Sequence, residues 1–205
     1  MICLTSLFEQ SSIKTLFFNN QIICENCQKQ IKKINKTQYV DGVQVWFLYE
    51  YNSFMKNLIY QFKGCYDVAL KDFFLYEFKG KIKRKYKDYF IVFPPSNTSD
   101  DIKRKYNHIN KIIESLKMKN DYLFYKDKEF KQSSQLYIDR KNIESVIKLK
   151  NNKYIDPKQK YLIIDDIYTS GSTLKTIIKL LVNNNVKKEN ISAIIIAKTA
   201  DFVEF

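Results

Sequence analysis

Continuous apolar runs alternate along this chain with stretches whose apolar residues recur at helical spacing. The runs are rich in β-branched and aromatic residues, which predicts buried strands. The helically spaced residues predict amphipathic helices packed on those strands. Alternating strands and helices form βαβ units, so we predict an α/β fold with a parallel sheet and flanking helices. The predicted strands are residues 43–51, 89–93, 161–164 and 191–198, and the predicted helices are residues 54–62, 101–117 and 172–182.

Three further stretches give weaker patterns. We expect residues 66–78 to form another helix, followed by Gly80 and a Lys/Arg-rich stretch. A short strand is expected at residues 122–125. Residues 126–158 are polar, rich in Lys and weakly periodic. We predict that they form a mobile loop with some local helix.

Residues 1–38 are predicted to be a separate segment, ahead of one α/β domain at residues 39–205. The segment holds too few apolar residues for a core of its own, so another kind of interaction must stabilise it. Cys3, Cys24 and Cys27 offer three thiolates. Structural zinc takes four ligands in near-tetrahedral geometry, so the segment either binds Zn²⁺ with a fourth ligand from elsewhere or is a metal-free remnant.

Two residues far along the chain are candidates for the fourth ligand, Cys65 and His108. If Cys65 is not a zinc ligand, we predict that it is a buried small apolar residue. If His108 is not a zinc ligand, we predict that it is an exposed helix residue. Contact with a bound ligand molecule is the alternative.

The stretch at residues 161–173 carries the candidate chemistry. Its strand delivers Asp165 and Asp166 to the carboxyl edge of the sheet, where ligands bind in open α/β folds. A loop of small hydroxyl residues follows, hinged at Gly171, and it opens directly into a helix. Backbone N–H groups at such a helix start can hold a phosphate. A ribose 5-phosphate would satisfy both halves, because its hydroxyls can donate to the acids.

An ordinary helix cap is the alternative interpretation. Ser172 or Thr173 would then be the N-cap of a helix, and the two acids would be solvated at a strand end. This alternative leaves the adjacent acids and the hydroxyl–Gly loop without an explanation.

The stretch resembles the phosphoribosyl-pyrophosphate (PRPP) signature of type I phosphoribosyltransferases. That signature has four apolar residues, two acids, two more residues of which the first is aliphatic, and then T-S/T-G-x-T, and the match is complete. The resemblance implies that Asp165 and Asp166 hold the ribose hydroxyls and, in an active transferase using Mg²⁺, stabilise positive charge on the ring. It assigns the binding of PRPP to Ile167, Tyr168, Thr169, Ser170, Gly171, Ser172 and Thr173.

The wider layout resembles the ComF family, phosphoribosyltransferase-like proteins with an N-terminal zinc-finger-like segment that are linked to competence and DNA uptake. The Cys24–Cys27 pair, the stretches at residues 60–65 and 92–95, and the Gln132/Arg140 spacing carry this resemblance. At residues 104–108 a family glycine is replaced by Lys105. The phosphate and ribose half of the site is therefore expected to be preserved, and the pyrophosphate half eroded. The resemblance also implies a competence or recombination helicase as partner.

The net charge of +13 on 205 residues favours a polyanionic partner. Lys-rich composition with few Gly and Pro residues is also typical of AT-rich coding, but the positive field exists whatever its origin. We predict binding of single-stranded DNA. The residues expected to contact phosphates of a ligand or of DNA are Lys63, Lys103, Arg104, Lys105 and Arg140.

No apolar run approaches the roughly 20 residues that span a bilayer, and no signal-peptide pattern is visible, so we expect a cytoplasmic protein. Of three functions we predict the first, and the other two stay open as alternatives. The three are a ComF-like factor of DNA uptake, an active phosphoribosyltransferase using PRPP and Mg²⁺, and a regulator that senses PRPP without turnover.

Overall fold

The computed structural model describes residues 25–95, 106–127 and 147–199. Within these ranges helices and strands alternate along the chain. The helices are α1 (Glu25–Gln30), α2 (Ser53–Gly64), α3 (Lys79–Lys85), α4 (His108–Ile113) and α5 (Ser172–Asn183). The strands are β1 (Lys33–Val40), β2 (Val43–Glu50), β3 (Tyr89–Val92), β4 (Phe124–Lys126), β5 (Ile147–Leu149), β6 (Lys160–Tyr168) and β7 (Ile191–Lys198).

A five-stranded sheet with the order β1-β2-β7-β6-β3 forms the centre of the structure. Strands β2, β7, β6 and β3 run parallel, and β1 is an antiparallel edge strand. Strands β4 and β5 form a separate antiparallel pair. The predicted α/β class with a mainly parallel sheet is therefore confirmed. Because the four parallel strands share one direction, their carboxyl ends meet at one edge, which is the edge that binds ligands in such folds.

Apolar side chains cover both faces of the sheet. On one face α2, α3 and α4 pack through residues such as Phe62, Ile82 and Ile109. On the other face α5 packs through Ile177, and the β4–β5 pair packs through Phe124. Burying one side chain of this size stabilises the fold by about 1.5–3 kcal/mol. The central strands are thus fixed from both sides.

Strand β1 is not among the predicted strands, because its side chains are mostly polar and exposed. It pairs with β2 through the turn Asp41-Gly42, where φ is 50° and 78°. Positive φ at both central residues is what a type I′ hairpin turn requires, and Asp-Gly favours it. That dipeptide is the signal from which β1 could have been predicted. The predicted domain boundary between residues 38 and 39 falls inside this strand.

The helix predicted at residues 66–78 is not formed. The segment contains a 3₁₀ turn at Val68–Asp72 and further turns up to Phe78. Phe73, Phe74 and Leu75 are all buried. Three consecutive buried positions need core on every side of the chain, whereas a surface helix buries only one stripe.

Other boundaries also differ from prediction. The Lys/Arg-rich stretch forms α3, whose one buried residue is Ile82. Strand β5 lies within the predicted loop at residues 126–158, of which residues 128–146 are outside the described residues. The predicted helix at residues 101–117 is helical at His108–Ile113 and ends in a 3₁₀ turn, and residues 101–105 are not described. No helix in the described ranges is long and apolar enough to cross a membrane.

Candidate sugar phosphate site

The strand that carries the two acids is longer than predicted. β6 continues through Tyr168, and Asp165 lies opposite Ile195 of β7 in the parallel ladder. The extension is possible because Ile167 and Tyr168 keep pairing with β7. Both carboxylates consequently lie within the last four residues of a buried strand, and each residue is 8% exposed.

Asp166 faces the side of the sheet that α2 and α4 cover. Its Oδ2 forms an ion pair with the ammonium of Lys63, near the end of α2. The same oxygen is 3.4 Å from Nε2 of His108, the first residue of α4. The second acid of the pair therefore has two basic side chains against it.

Asp165 faces the other side, because successive residues of a strand point to opposite faces. Its Oδ1 accepts a hydrogen bond of 2.9 Å from the backbone N–H of Asp166. Burial raises the pKa of the Asp165 carboxyl from 3.8 to about 6, although the charges of Lys63 and Lys126 act to lower it. Asp165 is thus a buried acid that ionises close to neutral pH and that a hydrogen-bond donor from a ligand would help to ionise.

Gly171 is required by the geometry of the loop after β6. Its φ is +73°, and a Cβ at this position would lie 2.6 Å from Oη and 2.7 Å from Cζ of Tyr168. The Tyr168 ring is itself fixed, since it is buried and lies edge-on to Phe47 with ring centroids 5.2 Å apart. Neither the backbone conformation nor the available space admits a side chain at Gly171.

Helix α5 begins immediately after Gly171 and offers donors toward the same edge of the sheet. The Oγ atoms of Ser170 and Ser172 are 2.7 Å apart, and the N–H of Lys175 donates to the carbonyl of Gly171 as the first full helical bond. The backbone N–H groups before Lys175 have no partner within the helix by geometry. Thr169 is exposed, and Ser170, Ser172 and Thr173 are partly exposed. The loop can therefore present hydroxyl and N–H donors to an anion.

Two basic side chains near the acids were not expected at those positions. The prediction that His108 is an exposed helix residue is wrong. His108 is only 8% exposed and lies beside Asp166. It is buried because Asn107 caps α4 by accepting from the N–H of Asn110, and the helix then packs Ile109 on the core. Lys126 of β4 is the second of these side chains. It lies in a polar stretch, and no sequence pattern indicates that its charge acts on Asp165.

Several predicted site residues fall where the structure is not described. They are Cys3, Cys24, Lys103, Arg104, Lys105 and Arg140.

The described cysteines are Cys27, which is buried in α1, and Cys65, which is exposed after α2. The prediction that Cys65 is buried is therefore wrong. It follows the last residue of α2, with its N–H bonded to carbonyls of that helix, so its side chain lies outside the core. Among residues 25–95, 106–127 and 147–199, no three His, Cys, Asp or Glu side chains are grouped to hold a metal ion.

The chain is thus an α/β protein with a polar site at the carboxyl edge of its sheet. An acidic strand end and a donor-rich helix start form that site. No family model matches the sequence. The chain is 30% identical over 158 residues to competence protein ComFC of Streptococcus pneumoniae R6, and the alignment covers 77% of this chain and 68% of that protein. The chain belongs to the ComF family.

Solved structures of phosphoribosyltransferases also show similarity. A hypoxanthine phosphoribosyltransferase from Staphylococcus aureus aligns with a TM-score of 0.42 at 15% identity, covering 65% of this chain and 66% of that chain. An APRTase from Giardia lamblia, complexed with 9-deazaadenine, aligns with a TM-score of 0.39 at 14% identity, covering 84% and 96% of the two chains.

Proposed function

We propose that this ComF-family chain acts in competence and DNA uptake, binds a PRPP-like sugar phosphate at residues 165–173 and binds single-stranded DNA. The observation that carries the sugar phosphate part is the end of β6. There two buried acids are followed, within six residues, by a glycine-hinged helix start whose donors are partly exposed.

The two halves of the site complement the two halves of a ribose 5-phosphate. The phosphate is placed against the first turn of α5, where N–H groups and the helix dipole favour an anion. The ribose hydroxyls are placed on Asp165, whose carboxylate accepts one hydrogen bond from the chain. A carboxylate has about four acceptor positions, so capacity for two hydroxyls remains.

A diphosphate on the sugar would bring Mg²⁺ with it. Mg²⁺ is usually held by one or two carboxylates together with substrate phosphates, and the carboxylate of Asp165 near the end of β6 can be one of them. Lys63 lies against Asp166, and its ammonium has three donors, so it can reach phosphate oxygens while it stays paired with Asp166. The predicted contact between Lys63 and a ligand phosphate is therefore part of the proposed site.

The pairing of Asp166 favours binding without turnover. Phosphoribosyl transfer needs carboxylates that stabilise positive charge developing on the ribose ring. Asp166 is already compensated by Lys63 and lies near His108, so it contributes less negative charge to such a transition state. An active phosphoribosyltransferase is the alternative that must be tested directly.

Isothermal titration calorimetry with PRPP and Mg²⁺ tests the site. We expect wild type to bind and Asp165→Asn plus Asp166→Asn to weaken binding by about 10- to 100-fold, which is the range for hydrogen bonds to charged groups. Asp156→Asn is the matched control, because Asp156 is an exposed acid just before the other end of β6. Absence of heat with wild type, or equal affinity in the double variant, contradicts the sugar phosphate assignment.

Turnover is tested by pyrophosphate release from PRPP in the presence of a panel of bases and amines. We expect none above the background. Release that disappears in the Asp165 and Asp166 variants would make the chain a transferase.

Single-stranded DNA binding is tested by fluorescence anisotropy at several salt concentrations. We expect affinity that falls steeply with salt, as backbone contacts require, and that survives the loss of both acids. A salt-independent or undetectable interaction contradicts this part of the proposal.

Zinc, the helicase partner and the cytoplasmic location stay proposals with their own measurements. Cys27 is the described member of the predicted ligand set. A zinc content below about 0.3 per purified chain would exclude the finger, since a structural site holds one ion. Co-purification with a competence helicase and cell fractionation test the other two.

A further inference from the structure

Helix α3 carries a dense set of cations on its outer surface. Its sequence is KGKIKRK, and Ile82 is its buried residue, packed with Phe78 and Tyr86 in the core. No acidic residue lies within the helix. The cations are Lys79, Lys81, Lys83, Arg84 and Lys85. Lys87 follows after Tyr86.

These cations are not neutralised by nearby acids in the described part of the chain. The described ion pairs involve other residues, and Glu77, the acid just before the helix, is paired with Lys33 at 2.7 Å. Burial and then the charge of Lys81, one turn away, lower the pKa of Lys85. Like charges are therefore close enough to repel each other, and a bound polyanion would relieve that repulsion.

One flank of α3 lies over the edge of the sheet. Nζ of Lys81 is 4.6 Å from the ring centroid of Trp46, and Nζ of Lys85 donates to Oε1 of Gln44 at 3.0 Å. Both partners belong to β2. Lys81, Arg84 and Lys85 share this flank, since they are spaced three and four residues apart on a helix.

An exposed aromatic ring lies beside the same flank. Tyr39 of β1 is the register partner of Gln44, and directly opposed residues of antiparallel strands have their side chains on one face. Tyr39 is 69% exposed. Gln44, which accepts from the ammonium of Lys85, is thus the cross-strand neighbour of Tyr39.

We infer that single-stranded nucleic acid binds this α3–β1 surface, made of Lys81, Arg84, Lys85 and Tyr39. The inference rests on the proposed single-strand binding and adds its location. Cations aligned along a helix track a phosphate backbone, and an adjacent aromatic ring stacks on an unstacked base. A duplex offers no free base face to such a ring.

The surface is not suited to a membrane. A helix that lies in a bilayer interface inserts an apolar face. The apolar face of α3 is turned into the core, where Ile82 is fully buried.

The surface is displaced from the sugar phosphate site, toward the amino end of β2 and away from β6. Gln44 is near the start of β2 and Tyr89, beyond α3, starts β3, whereas Asp165 and Asp166 lie near the end of β6. Gln44 is level with Leu162 of β6 through Ser192 of β7, so it lies three to four residues before the acids and two strands to the side. Strand residues rise about 3.3 Å each and strands are about 4.8 Å apart, so the strand positions are about 15 Å apart. Variants of one surface should therefore leave the other intact.

Fluorescence anisotropy with a labelled oligothymidine of about 16 nucleotides tests the inference. The charge variant is K81E/R84E/K85E. We expect at least a tenfold loss of affinity near 0.1 M salt and a salt slope reduced by about 2, because three phosphate contacts on a single strand contribute about 0.7 each. The matched control reverses three exposed lysines away from the surface, in K56E/K119E/K179E, and should retain most of the affinity.

Tyr39 gives a second, charge-neutral test. Tyr39→Leu should weaken binding about tenfold, whereas Tyr39→Phe should stay within about twofold of wild type, because stacking needs the ring and not the hydroxyl. Far-UV circular dichroism and PRPP titration of each variant verify the fold.

The outcomes separate the two claims. If wild type does not bind the oligonucleotide, the proposed single-strand binding and its location both fail. If wild type binds but K81E/R84E/K85E binds as tightly with the same salt slope, or the control triple variant loses as much, the location alone fails. Equal binding to a duplex or to anionic vesicles, with no effect of Tyr39→Leu, overturns the single-strand assignment.

Discussion

Asp165→Asn should stabilise the ligand-free protein at neutral pH. The carboxyl of Asp165 is buried, and its pKa is raised from 3.8 to about 6 by that burial. The folded protein therefore holds the proton more tightly than the unfolded chain does. Stability from this group is complete below pH 3.8, decreases as the pH rises, and is fully lost above about pH 6.

The magnitude follows from the two pKa values. One pKa unit corresponds to about 1.4 kcal/mol, so ionising Asp165 in the folded protein costs up to about 3 kcal/mol at pH 7.5 and about half of that at pH 5. An asparagine carries no charge at any of these pH values. Its Oδ1 can still accept the N–H of Asp166, so the local hydrogen bond is retained.

Urea unfolding of wild type and Asp165→Asn between about pH 4 and pH 7.5 measures the effect. The free energy of unfolding of the variant should exceed that of wild type by an amount that grows by about 2.5 kcal/mol over this range. Asp156→Asn, which changes an exposed acid, should give a nearly constant difference. A constant difference for Asp165→Asn as well would refute the assignment of Asp165 as a buried, desolvated acid.

The same comparison distinguishes a binding acid from a structural one. If Asp165 is kept for ligand hydroxyls, the variant gains stability and loses PRPP affinity together. Residues that gain function at the expense of stability are expected in binding sites. A variant that loses both would indicate that Asp165 mainly supports the fold.

Three further predictions concern the hinge, the ion pair and the exposed thiol. Gly171→Ala should destabilise the protein by about 2 kcal/mol in urea unfolding and abolish PRPP binding, because a positive φ and contact with the Tyr168 ring both oppose a Cβ; an unchanged midpoint would contradict the loop geometry. Lys63→Met should cost about 2 kcal/mol by leaving Asp166 buried without its partner, and adding Asp166→Asn should recover most of this loss; no recovery would mean that the pair is not coupled. Cys65→Ser should leave the free energy of unfolding within about 0.5 kcal/mol and the zinc content unchanged, since the side chain is exposed; loss of zinc would make Cys65 the fourth ligand.

The parts of the fold that sequence predicts well are those with a strong local pattern. β2, β7 and α5 follow from apolar runs and a clear helical period, because burial on a sheet leaves few other solutions. The acids and the hydroxyl loop are local in sequence as well. Their order along the chain already places them at one strand end.

The parts that sequence does not predict depend on contacts between distant residues. α3 has a single buried apolar residue, so its periodicity is hidden by lysines. Asp166 pairs with residues of two distant helices. His108 is 58 residues and Lys63 is 103 residues before Asp166, and no spacing along the chain encodes this pairing. Tyr39 is a similar case, because its neighbour α3 is known only from the register of β1 on β2.

The sheet itself separates the two proposed ligands. The proposed sugar phosphate site lies at the carboxyl ends of the parallel strands, at the helix start of α5 and the acids of β6. The cations of α3 lie beside β2, two strands away from β6. The two proposed sites share no residue, so we expect that a sugar phosphate and a nucleic acid strand can bind the domain at the same time. Any influence of one on the other would have to pass through the strands, which both apolar layers hold rigid.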